Sequence, residues 1–152
     1  MSDVCLETEK SPTAKVSHHR LHEHFEGIDE TIAMSSMYAA NHLGAKVVAT
    51  LTQTGKTALW MSRISSNIAI FAMSDNYKTL KKVTIYRGVY PCYIDKTSAD
   101  DWNDVNSHVI ENLEDKSQVE KGDIVIVTKG MHKDKSGGTN LMKILRVGDG
   151  NY

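Results

Sequence analysis

Val47-Val48-Ala49-Thr50-Leu51 runs directly into Thr52-Gln53-Thr54-Gly55-Lys56-Thr57. The first half is a short, largely apolar run, the pattern of a strand buried on both faces. The second half is polar and carries a glycine, and helical spacing resumes over about 57–65. A buried strand, a tight polar turn and a helix form the unit from which parallel sheets are built.

The same unit repeats outward from this point. Ile68–Ala72, Val89–Ile94 and Ile124–Val127 are further apolar runs, and Met142–Val147 alternates as a half-exposed strand. Pro91 assigns the third run to an edge or a strand end, because proline cannot donate to a ladder. Helical stretches fall at about 76–83 and 100–116. Before the first strand, Ile28, Ile32, Ala39 and Leu43 are spaced as one helical stripe, widened by Ala33, Met37 and Ala40. Asp29 and Glu30 occupy its first turn, where the helix dipole favours negative charge, and Gly44 is its stop. Five strands alternating with helices predict an α/β domain with a mostly parallel sheet. No crossover helix fits between the last two strands, so they pair antiparallel.

Residues 1–26 read differently. They hold Pro12 and the cluster His18, His19, His22 and His24, with no sustained apolar period. This segment reads as a linker and residues 27–152 as the folded domain. His18 and His22 stand at i,i+4, a metal-compatible spacing on a helix. With only Glu23 and Glu26 nearby, a solvated linker is the better reading, and no metal site is assigned. Asp100, Asp101 and Asp104 read as the acidic start of a helix, and Trp60 and Trp102 as packing residues.

Composition narrows the function. The chain has 152 residues, 40% of them hydrophobic, which is enough for one domain with a real core. A net charge of −1 argues against a general nucleic-acid or membrane-surface binder. No apolar run approaches the roughly 18–20 residues that span a bilayer. The acidic Met1–Ser11 stretch does not read as a secretory signal. Cys5 and Cys92 are far apart and form no CxxC, so reduced thiols in a cytoplasm are the simplest reading. No GxSxG, HExxH or oriented Cys–His pair is present, and no catalytic residue is assigned.

Two segments carry candidate binding chemistry. In Thr52, Gln53, Thr54, Gly55, Lys56 and Thr57, hydroxyls and a lysine gather where a helix start leaves N–H groups unpaired, which suits a phosphate. Gly55 allows close backbone approach. Thr54-Gly55-Lys56-Thr57 ends like a P-loop, but the glycine required five residues before Gly55 is Thr50, so the motif fails. The bland alternative is that Thr52 and Thr54 only cap the helix. The second segment is Ser136, Gly137, Gly138 and Thr139, in a polar loop from Lys129 to Asn140. In a parallel sheet it would share the C-terminal edge with the first turn, where ligands collect. A solvated surface loop is its bland alternative.

The chain carries, in order, Asp3-Val4-Cys5-Leu6 with Glu9-Lys10, Ala33-Met34-Ser35 with Tyr38-Ala39-Ala40, Thr52–Thr57, Ser62-Arg63-Ile64-Ser65-Ser66, Tyr86-Arg87-Gly88-Val89-Tyr90-Pro91, and Gly122–Val127 followed by Gly138-Thr139-Asn140. Together, in this order, these elements resemble pyruvate kinases of bacteria. The resemblance is to the C-terminal domain of that family. It implies a three-layer α/β/α sandwich with a five-stranded sheet, and residues 1–26 as a remnant of the segment connecting to a catalytic barrel. The implied parent reaction transfers phosphate from phosphoenolpyruvate to ADP with Mg²⁺ and K⁺. That chemistry lies in a (β/α)₈ barrel of about 250 residues, which this length cannot hold, so the chain alone is expected to be inactive. No cofactor is assigned to this chain.

For this domain the resemblance implies regulation and assembly. A sugar-phosphate or AMP-like effector would sit at Thr52–Thr57 beneath Ser136–Thr139, and the partners would be the barrel and other copies in a tetramer. The alternative is a purely structural oligomerisation module with a vestigial phosphate site. Relatives that take fructose 1,6-bisphosphate hold its second phosphate with a Trp and an Arg, where this chain has Ser98 and Val105. No arginine occurs in 88–145. The expected effector is therefore a monophosphate such as ribose 5-phosphate, glucose 6-phosphate or AMP.

Overall fold

The computed structural model describes residues 24–95, 102–130 and 138–150, together with residues 4, 7 and 8; for 102–104 it describes the backbone only. The elements, in chain order, are α1 (Ile28–Leu43), β1 (Val47–Leu51), α2 (Lys56–Ser62), β2 (Ala69–Ser74), α3 (Tyr77–Val83), β3 (Val89–Tyr93), α4 (Trp102–Asp115), β4 (Ile124–Gly130) and β5 (Thr139–Arg146).

The five strands form one sheet in the order β3-β2-β1-β4-β5. β1 pairs in parallel with β2 and β4, β2 pairs in parallel with β3, and β5 is antiparallel to β4. The expected α/β class and the antiparallel last strand are both found. Pro91 lies in β3, an edge strand, where its missing N–H leaves no gap in a ladder.

Side chains alternate across the sheet and build two cores. One face carries Val47, Ala49, Leu51, Phe71, Met73, Val125 and Val127, covered by Val109, Ile110 and Leu113 of α4. The other carries Val48, Ile70, Ala72 and Ile126, covered by Ala33, Met37 and Ala40 of α1, Ala58 and Met61 of α2, and Val83 of α3. The result is the three-layer sandwich.

The first helix departs from the expected stripe. Ile28 and Leu43 are exposed, while Asp29, Ala33, Met34, Ser36, Met37 and Ala40 are buried. The helix is turned by about one residue, so Ala33, Met37 and Ala40 face the sheet and α2 while Ile28 and Leu43 turn outward. Asp29 is carried inward, where it finds a lysine partner. Gly44 ends the helix in the left-handed region at φ 64, as its position suggests.

Boundaries shift elsewhere. α2 stops at Ser62 rather than near 65, β2 begins at Ala69, and α4 spans 102–115. The late loop is shorter than the Lys129–Asn140 expectation. β4 runs on through Lys129 and Gly130, and β5 starts at Thr139, with a register shift at Lys129/Gly130. That irregularity hides the extended pairing from any alternation pattern.

Candidate functional site

β1 is the topological switch of the sheet. From it the chain moves through α2 to β2 on one side, while β4 lies on its other side. The crevice beyond the C-terminal ends of such strands is where open α/β sheets bind ligands. The turn after β1 leaves at this edge, and so does the connection from β4 to β5.

The two candidate segments meet here. Thr57 Oγ1 and Thr139 Oγ1 lie 2.7 Å apart, although 82 positions separate them in the chain. Thr57 is 2% exposed and Thr139 is 6% exposed. Gly138 is half-buried beside them. Ser136 and Gly137 lie outside the described residues, as do His18, His19, His22, Asp100 and Asp101; Trp102 and Asp104 are described only in their backbone.

The turn itself divides into a buried frame and an open rim. Thr52 is buried, and its Oγ1 accepts the Gly55 N–H at 2.9 Å. Gly55 is the N-cap of α2, with φ 76 and no side-chain cap. Its glycine identity has two causes: the left-handed backbone, and a Cβ that would lie 2.7 Å from Val83 Cγ1 of α3. The sequence suggested close approach of a ligand; the structure adds close approach of α3. Gln53 and Thr54 are half-buried and Lys56 is exposed, so these three form the rim. The first N–H groups of α2 have no intrahelical acceptor and point the same way.

Three further residues hold the turn, and local sequence gave no sign of them. Thr79 Oγ1 donates to the Gln53 carbonyl. Lys82 Nζ donates to the Thr54 carbonyl at 3.4 Å. Asp29, whose side chain is 7% exposed, pairs with Lys56 Nζ through Oδ2 at 2.9 Å. Asp29 had been legible only as first-turn acid on α1. Its pairing means that Lys56 meets any anion with part of its charge already balanced.

Buried polar atoms without a hydrogen bond occur on both faces of the sheet. Thr50 and Thr128 are register partners near the ends of β1 and β4, and both hydroxyls are buried without a hydrogen bond. Asn106 on α4 is fully buried with neither amide atom bonded. Trp60 packs against the second core, with Arg63 stacked 4.3 Å over its ring, in keeping with a packing role. Among the described residues, no group of three His, Cys, Asp or Glu is placed to hold a metal ion. No helix among them is long and apolar enough to cross a membrane.

Comparison with known proteins gives this arrangement its context. The chain is 47% identical over 148 residues to "Pyruvate kinase II" of Salmonella typhimurium, covering 97% of the chain and 30% of that protein. It is 45% identical over 148 residues to "Pyruvate kinase" of Buchnera aphidicola subsp. Baizongia pistaciae, with the same coverage. Against "Pyruvate kinase" of Haemophilus influenzae the identity is 45% over 131 residues, 86% of the chain and 27% of that protein. The chain thus spans about 30% of the length of the first two relatives. Residues 30–145 match the model of the family described as "Pyruvate kinase, alpha/beta domain". The chain belongs to the pyruvate kinase alpha/beta domain family.

Proposed function

We propose that this chain is the regulatory and assembly domain of a pyruvate kinase, and that it binds a sugar-phosphate or nucleotide monophosphate effector at the turn Thr52–Thr57. The observation that carries the proposal is the buried contact between Thr57 and Thr139, which fastens the turn to the start of β5 at the switch point of the sheet. Gln53, Thr54 and Lys56, with the open N–H groups of α2, grip the phosphate. Thr52, Gly55 and Thr57 hold the turn in shape. Ser136 to Thr139 close over the sugar.

Transfer of phosphate from phosphoenolpyruvate to ADP belongs to the whole enzyme, in a cytoplasm. Its Mg²⁺ and K⁺ would be held by the catalytic barrel, outside this chain, and the chain alone turns over no substrate. Assembly uses surfaces that remain open here: Ile28, Tyr38 and Leu43 are exposed on α1, and Ile144 is exposed on the edge strand β5.

Backbone amide NMR tests the site. Titration with ribose 5-phosphate, glucose 6-phosphate or AMP should move the amides of Gln53 to Thr57 first and saturably. An assembly module with a vestigial site would show no saturating shifts there with any of the three.

A further inference from the structure

A second reactive cluster lies away from the phosphate turn, between β3 and the end of α4. Cys92 on β3 is 2% exposed. Its sulfur lies 2.9 Å from Asn112 Oδ1 and 3.3 Å from Lys116 Nζ. Lys116 Nζ also donates to Asn112 Oδ1. One amide oxygen therefore gathers a thiol and an amine onto a single point.

The lysine is positioned by the backbone. Gln118 N–H bonds the Leu113 carbonyl at 2.9 Å and Ser117 N–H bonds the Glu114 carbonyl at 2.8 Å, the double closure of a Schellman motif. Ser117 takes the left-handed position at φ 54, the only non-glycine among the described residues with positive φ. A residue with a Cβ adopts that conformation at a cost. Lys116 is the C-cap residue held by this closure. A lysine at a helix end ordinarily turns to the last carbonyls or to water; this one turns to sulfur.

We propose that Cys92 is an oxidation site that Lys116 resolves covalently, with hydrogen peroxide as the oxidant. In the first step the Cys92 sulfur attacks one peroxide oxygen. An S–O bond forms, the O–O bond breaks, and the leaving hydroxide takes the thiol proton to become water. Sulfur loses two electrons, peroxide gains them, and a sulfenic acid results. In the second step the Lys116 amine, having released its extra proton to water, attacks that sulfur. An S–N bond forms, the S–O bond breaks, and the hydroxyl leaves with a proton from nitrogen as a second water. The product is a sulfenamide, and the second step needs no further oxidant. Burial favours this course: Cys92 is 2% exposed with Lys116 Nζ 3.3 Å from its sulfur, so a sulfenic acid formed there meets the amine before a thiol from solution. The cross-link ties edge strand β3 to the end of α4, and thiol reduction restores both side chains.

The test uses the full chain with Cys5→Ser, so that Cys92 is its sole thiol. The protein is treated with equimolar hydrogen peroxide, and its mass is read intact and after trypsin digestion without reductant. The expected result is a loss of two hydrogens with no oxygen gained. Trypsin should then fail to cut after Lys116, and dithiothreitol should restore the cut. Lys116→Met, a change at an exposed residue, should instead gain oxygen at Cys92. The proposal is overturned if both proteins gain oxygen alike, if the linked peptide retains an oxygen, or if Cys92 remains a free thiol.

Discussion

Thr57 Oγ1 and Thr139 Oγ1, 2.7 Å apart and both buried, form the hydrogen bond that joins the turn after β1 to the first residue of β5. Removing one hydroxyl strands the other. Thr57→Val or Thr139→Val should each destabilise the domain by about 1–3 kcal/mol, the cost of a buried polar group left unpaired. The double variant should recover most of that loss, because replacing both partners by apolar groups is nearly neutral. Chemical denaturation of the four proteins measures the coupling directly.

Asp29 holds Lys56 in an ion pair at 2.9 Å, so an anion bound at the proposed site would compete with it for that charge. Asp29→Asn should tighten phosphate binding by up to about fivefold, consistent with about 0.2–1 kcal/mol for a half-exposed pair. The gain should shrink as salt is raised. Titrations at low and high ionic strength check both statements.

Gly55 is constrained twice, by its φ of 76 and by Val83. Gly55→Ala should cost about 1–2 kcal/mol for the left-handed backbone alone, plus a steric term from the Val83 contact. In a Val83→Ala background the steric term should vanish and the backbone term persist. A double-mutant cycle in denaturant separates them.

Asn106 sits on the α4 stripe that also presents Val109, Ile110 and Leu113 to the core, yet its amide has no partner. Asn106→Leu should raise stability by about 1–2 kcal/mol, since a buried amide without hydrogen bonds is worse than an apolar side chain of similar size. An unchanged or lowered melting temperature would mean that a bound water or a ligand satisfies the amide.

Much of this fold is legible in the sequence because strands buried on both faces write themselves as apolar runs, as Val47–Leu51 and Ile124–Val127 do. Pro91 marked an edge and Gly44 a helix end through backbone constraints that act locally. The rotation of α1 was not legible. Ile28 and Leu43 fit an apolar stripe as well as any core residue, and only the tertiary partner Lys56 explains why Asp29 faces inward instead. The same limit applies to the site. The run Thr52–Thr57 declares its polar chemistry, but the division into frame and rim depends on Thr79, Val83 and Thr139, which are brought in by the fold. The start of β5 was hidden by the irregularity at Lys129/Gly130.

Calorimetric titration of the chain decides whether the rim of this turn binds a phosphate monoester, as proposed. Ribose 5-phosphate, glucose 6-phosphate, AMP and fructose 1,6-bisphosphate would be titrated in turn into the native chain and into Thr54→Ala. One monophosphate should bind saturably and more tightly than the bisphosphate. Thr54→Ala should weaken it by about tenfold or more, the loss of one hydrogen bond to a charged group, with stability unchanged. Tighter binding of fructose 1,6-bisphosphate, or equal affinity in the native and Thr54→Ala chains, would rule out a monophosphate site at this turn.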